Sequence, residues 1–210
     1  MIKGEYRKMW QQLLELFEKA DRPIKICEGD YTRGVNEINE IGASPESVLG
    51  AVIVNSCGIV FDNWVFVIGQ SSGNYGILNF SEKMNYDSNG LLVVATDIVG
   101  GVFALNMGRF AEDQGMVWYF APDTLEWESL EMKYSGFIAW LTQGDLSGYY
   151  SSMKWTDWRK DAESVSFGEG ILIYPYLWAK ECNIETASKT VVPLSEILRM
   201  HDDFSKKFGY

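Results

Sequence analysis

The 210-residue sequence predicts an α+β fold: a mostly antiparallel central sheet flanked by helices, with an amphipathic helix at each end. Three observations predict it. Apolar residues recur at helical spacing near the two ends and in a stretch after Trp127. Between Ala51 and Ala121, apolar runs of strand length are separated by turn signals. Strands do not alternate with helices in the way a βαβ fold needs.

The elements follow in order. Tyr6, Met9, Trp10, Leu13, Leu14 and Phe17 lie at helical spacing and predict an amphipathic helix over 5–19, ended by Asp21-Arg22-Pro23. IKICE reads as a short strand, and 32–41 as a short helix that Gly34 weakens. AVIVNSCGIVFDNWVFVIGQ reads as two or three strands, broken at Asn55-Ser56 and Asp62-Asn63. SSGNYG is a loop, and Asn89-Gly90 is a turn that leads into the buried strand LLVVAT. VFALN and MVWYFA are two further strands, joined by MGRFAEDQG. Tyr134, Phe137, Ile138 and Leu141 mark one helix face. Leu146, Tyr149, Tyr150 and Met153 mark a second, with Asp145 as its N-cap. WTDWRKDAESV suggests a third helical turn, and ILIYPYLW a last strand bounded by Pro175. VPLSEILRMHDDFSKKF is a terminal helix entered through Pro193. No linker, repeat or low-complexity tract interrupts the chain, so a single domain over 1–210 is expected.

Charge narrows the partners. Eighteen Lys and Arg against 29 Asp and Glu give a net charge of −11. Such a surface repels phosphate backbones and suits a basic protein, so no nucleic acid is expected. The three cysteines, Cys27, Cys57 and Cys182, are widely spaced, and His201 is the single histidine. That pattern predicts no metal site, no cofactor and no disulfide framework, and favours a reducing, cytoplasmic location. The opening segment MIKGEYRKMWQQLLELFEKA is too charged for a signal peptide, and no apolar run has the length of a membrane span.

Each candidate site has a chemical and a structural reading. Asp97-Ile98-Val99-Gly100-Gly101 is either a backbone cradle for an anion or a tight turn, and the missing Gly-x-Gly-x-x-Gly favours the turn. Asp123, Glu126 and Glu128 offer paired carboxylates for acid–base work, or a solvated strand edge. If TLEWE is extended, Glu126 and Glu128 share one face, and Leu125 and Trp127 the other. Trp155, Trp158 and Arg159 either present rings and a guanidinium to a partner or pack into the core. His201, on the stripe of the terminal helix, reads as a satisfied, partly buried histidine. Cys57 reads as a small buried hydrophobe, since no base is tied to it.

The segments SVLGAVIVNSCGIVFDNWVFVIG, DIVGGVFALNMG, GMVWYFAPDTLEWESLEMKYSGFIAWLTQGDLSGYY, MKWTDWRKDAESV and ILIYPYLW together resemble an uncharacterised bacterial family, domain of unknown function 2625. The resemblance runs from about Ser47 to Pro193, and YFAPDTLEWE is its most specific block. Cys57-Gly58 stands where the family pattern has Gly-Gly, and Asn63-Trp64-Val65-Phe66 where it has Gly-Trp-Leu-Arg. No role of that arginine therefore carries over. A glycine turn, a Phe-Ala-Leu-Asn strand, a Trp- and Tyr-rich strand and a helix near Tyr134 are more distantly similar to the SUKH superfamily. That second resemblance implies a SUKH-like α+β fold and an immunity-type protein that neutralises a toxin.

The expectation is a non-enzymatic protein-binding domain with a basic, toxin-like partner and no catalytic residues. Its binding candidates are Asp97, Gly100, Gly101, Asp123, Glu126, Glu128, Trp155, Trp158 and Arg159. The alternatives are a carboxylate-dependent hydrolase, a small-ligand-binding protein, or a structural domain that homo-oligomerises.

Overall fold

A computed structural model describes residues 2–209, and it is a mixed α+β structure built on a seven-stranded antiparallel sheet. The strands are β1 (Ile24–Glu28), β2 (Ser56–Phe61), β3 (Val65–Ile68), β4 (Leu91–Asp97), β5 (Val102–Asn106), β6 (Val117–Ala121) and β7 (Glu126–Met132). Their spatial order is their sequence order, a meander with β1 and β7 at its edges. A separate hairpin pairs β8 (Glu169–Tyr174) with β9 (Ser188–Pro193).

Helices cover both faces. On one side α1 (Ile2–Phe17), α2 (Tyr31–Ile41), α3 (Val48–Asn55) and α5 (Tyr134–Gln143) pack together. Phe17 of α1 meets Phe61, and Phe137 of α5 meets Phe103. On the other side lie α4 (Phe80–Met84), α8 (Leu194–Phe208) and the β8–β9 hairpin. There His201 meets Phe120, and Phe167, just before β8, meets Phe66. Two short helices, α6 (Leu146–Tyr149) and α7 (Trp158–Ala162), complete the set. The order of helix, strands and helices is as the sequence predicts. Leu13 and Phe17 are buried on the predicted α1 stripe, and the side chain of Tyr6 lies outside the described residues.

Three elements correct the sequence reading. The stretch AVIVN is the end of helix α3 rather than a strand. Ser47 caps it by accepting from the Gly50 N–H at 3.0 Å. Ala51 to Val54 are all buried, so no polar face shows a helical period, and β-branched residues imitate a strand. Gly34 of α2 permits the contact beneath it, because a Cβ there would sit 2.5 Å from Val54 Cα. The second correction is β7, which runs on to Met132 although the sequence reading returns to helical spacing after Trp127. The third is β9, a half-exposed strand immediately before α8 that its mixed composition conceals.

The Asp62-Asn63 break is a tight hairpin turn. Both residues take positive φ, 53° and 52°, and Trp64 N–H closes the turn onto Phe61 carbonyl at 2.9 Å. Asp and Asn tolerate that conformation, which matches strand twist. The turn thereby carries Asp62 and Trp64 to one end of the sheet.

Candidate functional site

Alternation along the strands sets Asp97, Phe103, Tyr119 and Glu128 on one face. Val65 pairs with Asp97, Ala95 with Phe103, Phe103 with Tyr119, and Tyr119 with Glu128. Asp97 ends β4 and is buried. Its Oδ1 accepts the Val99 N–H at 3.0 Å and the Gly101 N–H at 2.8 Å. Its Oδ2 accepts the phenols of Tyr119 at 2.7 Å and Tyr150 at 3.1 Å. Burial pushes the carboxyl up from its ordinary value, while the bonds from Tyr119, Gly101, Val99 and Tyr150 hold it down.

The glycines serve this turn. A Cβ on Gly101 would collide with Asp97 Oδ2 and the Tyr119 hydroxyl. Gly100 takes φ +92°, and a Cβ there would lie 2.5 Å from Ile197 and 2.6 Å from His201. Both N–H groups are spent on Asp97, Gly100's on its carbonyl at 3.2 Å and Gly101's on its carboxylate. The DIVGG segment is a buried turn in this fold.

Asp145 caps α6 through the Gly148 N–H at 2.8 Å, as the sequence predicts. That short helix presents two consecutive tyrosines. Tyr150 reaches Asp97, and the phenol of Tyr149 donates to Glu128 Oε1 at 3.3 Å. Burial, then the charges of Glu128, Asp97 and Asp123, push the Tyr149 phenol up, so it remains a donor. Three of the four carboxylates singled out in the sequence thus act on one tyrosine. Glu126 and Glu128 are exposed and Trp127 is half-buried, as strand alternation requires. Leu125 is instead in the preceding turn, with φ +61° and its N–H bonded to Ala121 carbonyl at 2.8 Å.

Trp155 and Trp158 are core residues, and Trp158 lies against a charge the sequence reading passes over. The Lys154 ammonium lies 3.9 Å from the Trp158 ring centre, 5.1 Å from Trp64 and 5.9 Å from Tyr150. Asp62 Oδ2 stands 3.7 Å from it, and Arg159 donates to Asp62 Oδ1 at 2.6 Å. Burial pushes the Lys154 ammonium down, and Asp62 opposes that. Arg159 is turned to Asp62 and stacked on Trp158. Tyr150 belongs to this cage and to the Asp97 network alike.

The match to known proteins spans almost all of this architecture. The family model described as Protein of unknown function DUF2625 matches residues 4–197. The chain belongs to this family. It is similar to the uncharacterized protein YbfG of Escherichia coli (strain K12), 34% identical over 203 residues covering 95% of this chain and 93% of that one. It is also similar to an uncharacterized protein of Haemophilus influenzae (strain ATCC 51907 / DSM 11121 / KW20 / Rd), 26% identical over 175 residues covering 80% and 77%. No solved structure matches.

The segment YFAPDTLEWE runs from the Asp97 network to an open cavity. Glu126 and Trp127 line about 360 Å³ of space with Phe110, Arg109, Asp202 and Lys206. Phe120 and Tyr86 line it too, and behind it Phe110 stacks on Trp118 at 3.9 Å between ring centres. Arg109 and Lys206 are far apart in sequence, so no local pattern announces them.

Two expectations about single residues need correction. His201 is fully buried rather than partly buried, and its Nδ1 lacks a hydrogen bond of good geometry among the described residues. Burial pushes its pKa down to about 4, with the Gly100 backbone acting the other way. Cys57 is half-exposed rather than buried, because it sits at an irregular step in the β1–β2 ladder. Among the described residues no group of three or more His, Cys, Asp or Glu is placed to hold a metal ion, and no helix is long and apolar enough to cross a membrane.

Proposed function

We propose that this DUF2625 protein is a non-enzymatic protein-binding domain that receives a basic segment along strand β7. The observation that carries this reading is the edge itself. Within the seven-stranded sheet β7 is hydrogen-bonded to β6 alone, and Glu126, Glu128 and Glu131 are exposed along it. An unpaired edge can add a strand from another chain, and three carboxylates select a basic one. The overall charge of −11 acts in the same direction at long range. Asp97 supports a binding role over chemistry, since both its oxygens are committed to internal donors.

The specific form of the proposal follows the SUKH resemblance: an immunity-type protein that covers and neutralises a basic toxin. Its test is capture from the native host by the wild type and by the triple variant Glu126→Lys, Glu128→Lys, Glu131→Lys. A basic partner retained by the first and lost by the folded second supports the reading. An unchanged set of partners, or none with either protein, rejects it.

The cavity beside Glu126 favours a second reading, a small-ligand site. Arg109 and the Lys206–Asp202 ion pair line it together with Asp87, Glu126 and the rings of Phe110, Phe120 and Trp127, which suits a zwitterion with an apolar body. A thermal-shift series with aromatic amino acids distinguishes the two readings, because the edge proposal predicts no shift.

A further inference from the structure

Cys27 and Cys57 stand on neighbouring antiparallel strands. Cys27 pairs with Gly58, and the ladder then slips so that Glu28 pairs with Ser56. Cys57 is therefore the extra residue of a β-bulge, a feature that re-aims a side chain. Here it brings Cys57 to the side of Cys27, since both thiols line one cavity of about 320 Å³ with Tyr75, Lys83 and Phe167. The Cys57 thiol donates to Glu28 carbonyl at 3.1 Å, across the bulge. Strands about 4.8 Å apart that rise about 3.3 Å per residue place positions one step out of register roughly 6 Å apart. That is within the Cα separation a disulfide spans. Gly58, opposite Cys27, puts no side chain between the sulfurs.

We propose that Cys27 and Cys57 are a redox-active dithiol that accepts a small disulfide of the glutathione class in this cavity and closes to an intramolecular disulfide. Cys27 is the exposed thiol, so it reacts first. Its thiolate attacks one sulfur of the small disulfide, that S–S bond breaks, and one small thiol leaves with the proton. The Cys57 thiolate then attacks the Cys27 sulfur of the mixed disulfide, and the second small thiol leaves. The protein loses two electrons and two protons, and the small disulfide gains both pairs. Among the residues lining the cavity Lys83 carries the single formal charge, a cation suited to the carboxylates of such a ligand. Burial and the adjacent Cys57 push the Cys27 thiol up, which makes the pair slow to react rather than hyper-reactive. Cys182 does not line this cavity and serves as the internal control.

The test is to incubate the reduced full-length chain with excess oxidised glutathione, alkylate the remaining thiols and map the products by mass spectrometry. The expected result is a Cys27–Cys57 crosslinked peptide without adduct, reopened by dithiothreitol. Cys57→Ser is expected to stop at a stable glutathione adduct on Cys27. Separate adducts on both cysteines of the wild type, or both thiols left free to alkylate, would overturn the proposal. The wild-type mapping decides the matter even if the variant does not fold.

Discussion

The Tyr119 phenol donates to Asp97 Oδ2 at 2.7 Å, and this bond ties the middle of β6 to the turn between β4 and β5. Neither group reaches water, so the bond lies in an apolar setting that strengthens it electrostatically. Tyr119→Phe is expected to cost about 1.5–3 kcal/mol in urea unfolding. Tyr150→Phe, which loses the longer 3.1 Å bond, should cost less. Asp97→Ala should cost more than either, because it leaves two phenols and two backbone N–H groups buried without an acceptor. A different order would mean that Asp97 does not organise the turn.

Gly101→Ala separates the buried turn from an anion cradle. The added methyl would strike Asp97 and Tyr119, and core strain of that kind costs about 1–3 kcal/mol. A cradle would instead lose affinity for phosphate with little change in the melting temperature. Differential scanning calorimetry with and without phosphate reads both quantities. The expected result is a large drop in melting temperature that phosphate does not alter.

Most of the meander was legible because its strands are short apolar runs set off by Asp62-Asn63, Asn89-Gly90 and the DIVGG glycines. Local pattern failed where burial is complete or partners are remote. Helix α3 is covered on all sides, so it shows neither period. Asp97 could be read as a turn residue, but Tyr119 and Tyr150 lie 22 and 53 positions away. The Lys154 cage was half visible. Trp158 was singled out, but Trp64 and the ammonium were not, because Trp64 and Asp62 reach Lys154 only once the β2–β3 hairpin has closed. The Cys27–Cys57 pairing depends on a one-residue slip in a ladder, which the spacing of the cysteines does not encode.

His201 gives a pH dependence with a definite sign. Its folded pKa is held near 4, against about 6.5 when unfolded. The unfolded chain takes up the proton first as pH falls, so stability is complete above pH 6.5 and declines toward pH 4. The loss at the lower limit is about 3 kcal/mol for this one group. His201→Leu removes the titrating group and should flatten that part of the profile. Urea midpoints at pH 7, 6, 5 and 4.5 for both proteins test this, and parallel curves would show that His201 takes up its proton in the fold as readily as in the unfolded chain.

Lys154 and Asp62 make an asymmetric prediction. The ammonium lies among Trp64, Tyr150 and Trp158, with Asp62 as its counter-charge at 3.7 Å. Methionine has nearly the shape of lysine and needs no counter-charge. In Lys154→Met, Asp62 keeps its 2.6 Å bond from Arg159, so the change should fall within about 1 kcal/mol or stabilise the fold. In Asp62→Asn the turn conformation survives, since asparagine also accepts positive φ. The buried ammonium, however, is left uncompensated beside Arg159, and the expected cost is about 3 kcal/mol. The double variant should recover most of that loss, because its second substitution removes the stranded charge. If Asp62→Asn is harmless and Lys154→Met is severe, the aromatic rings rather than Asp62 hold the ammonium in place.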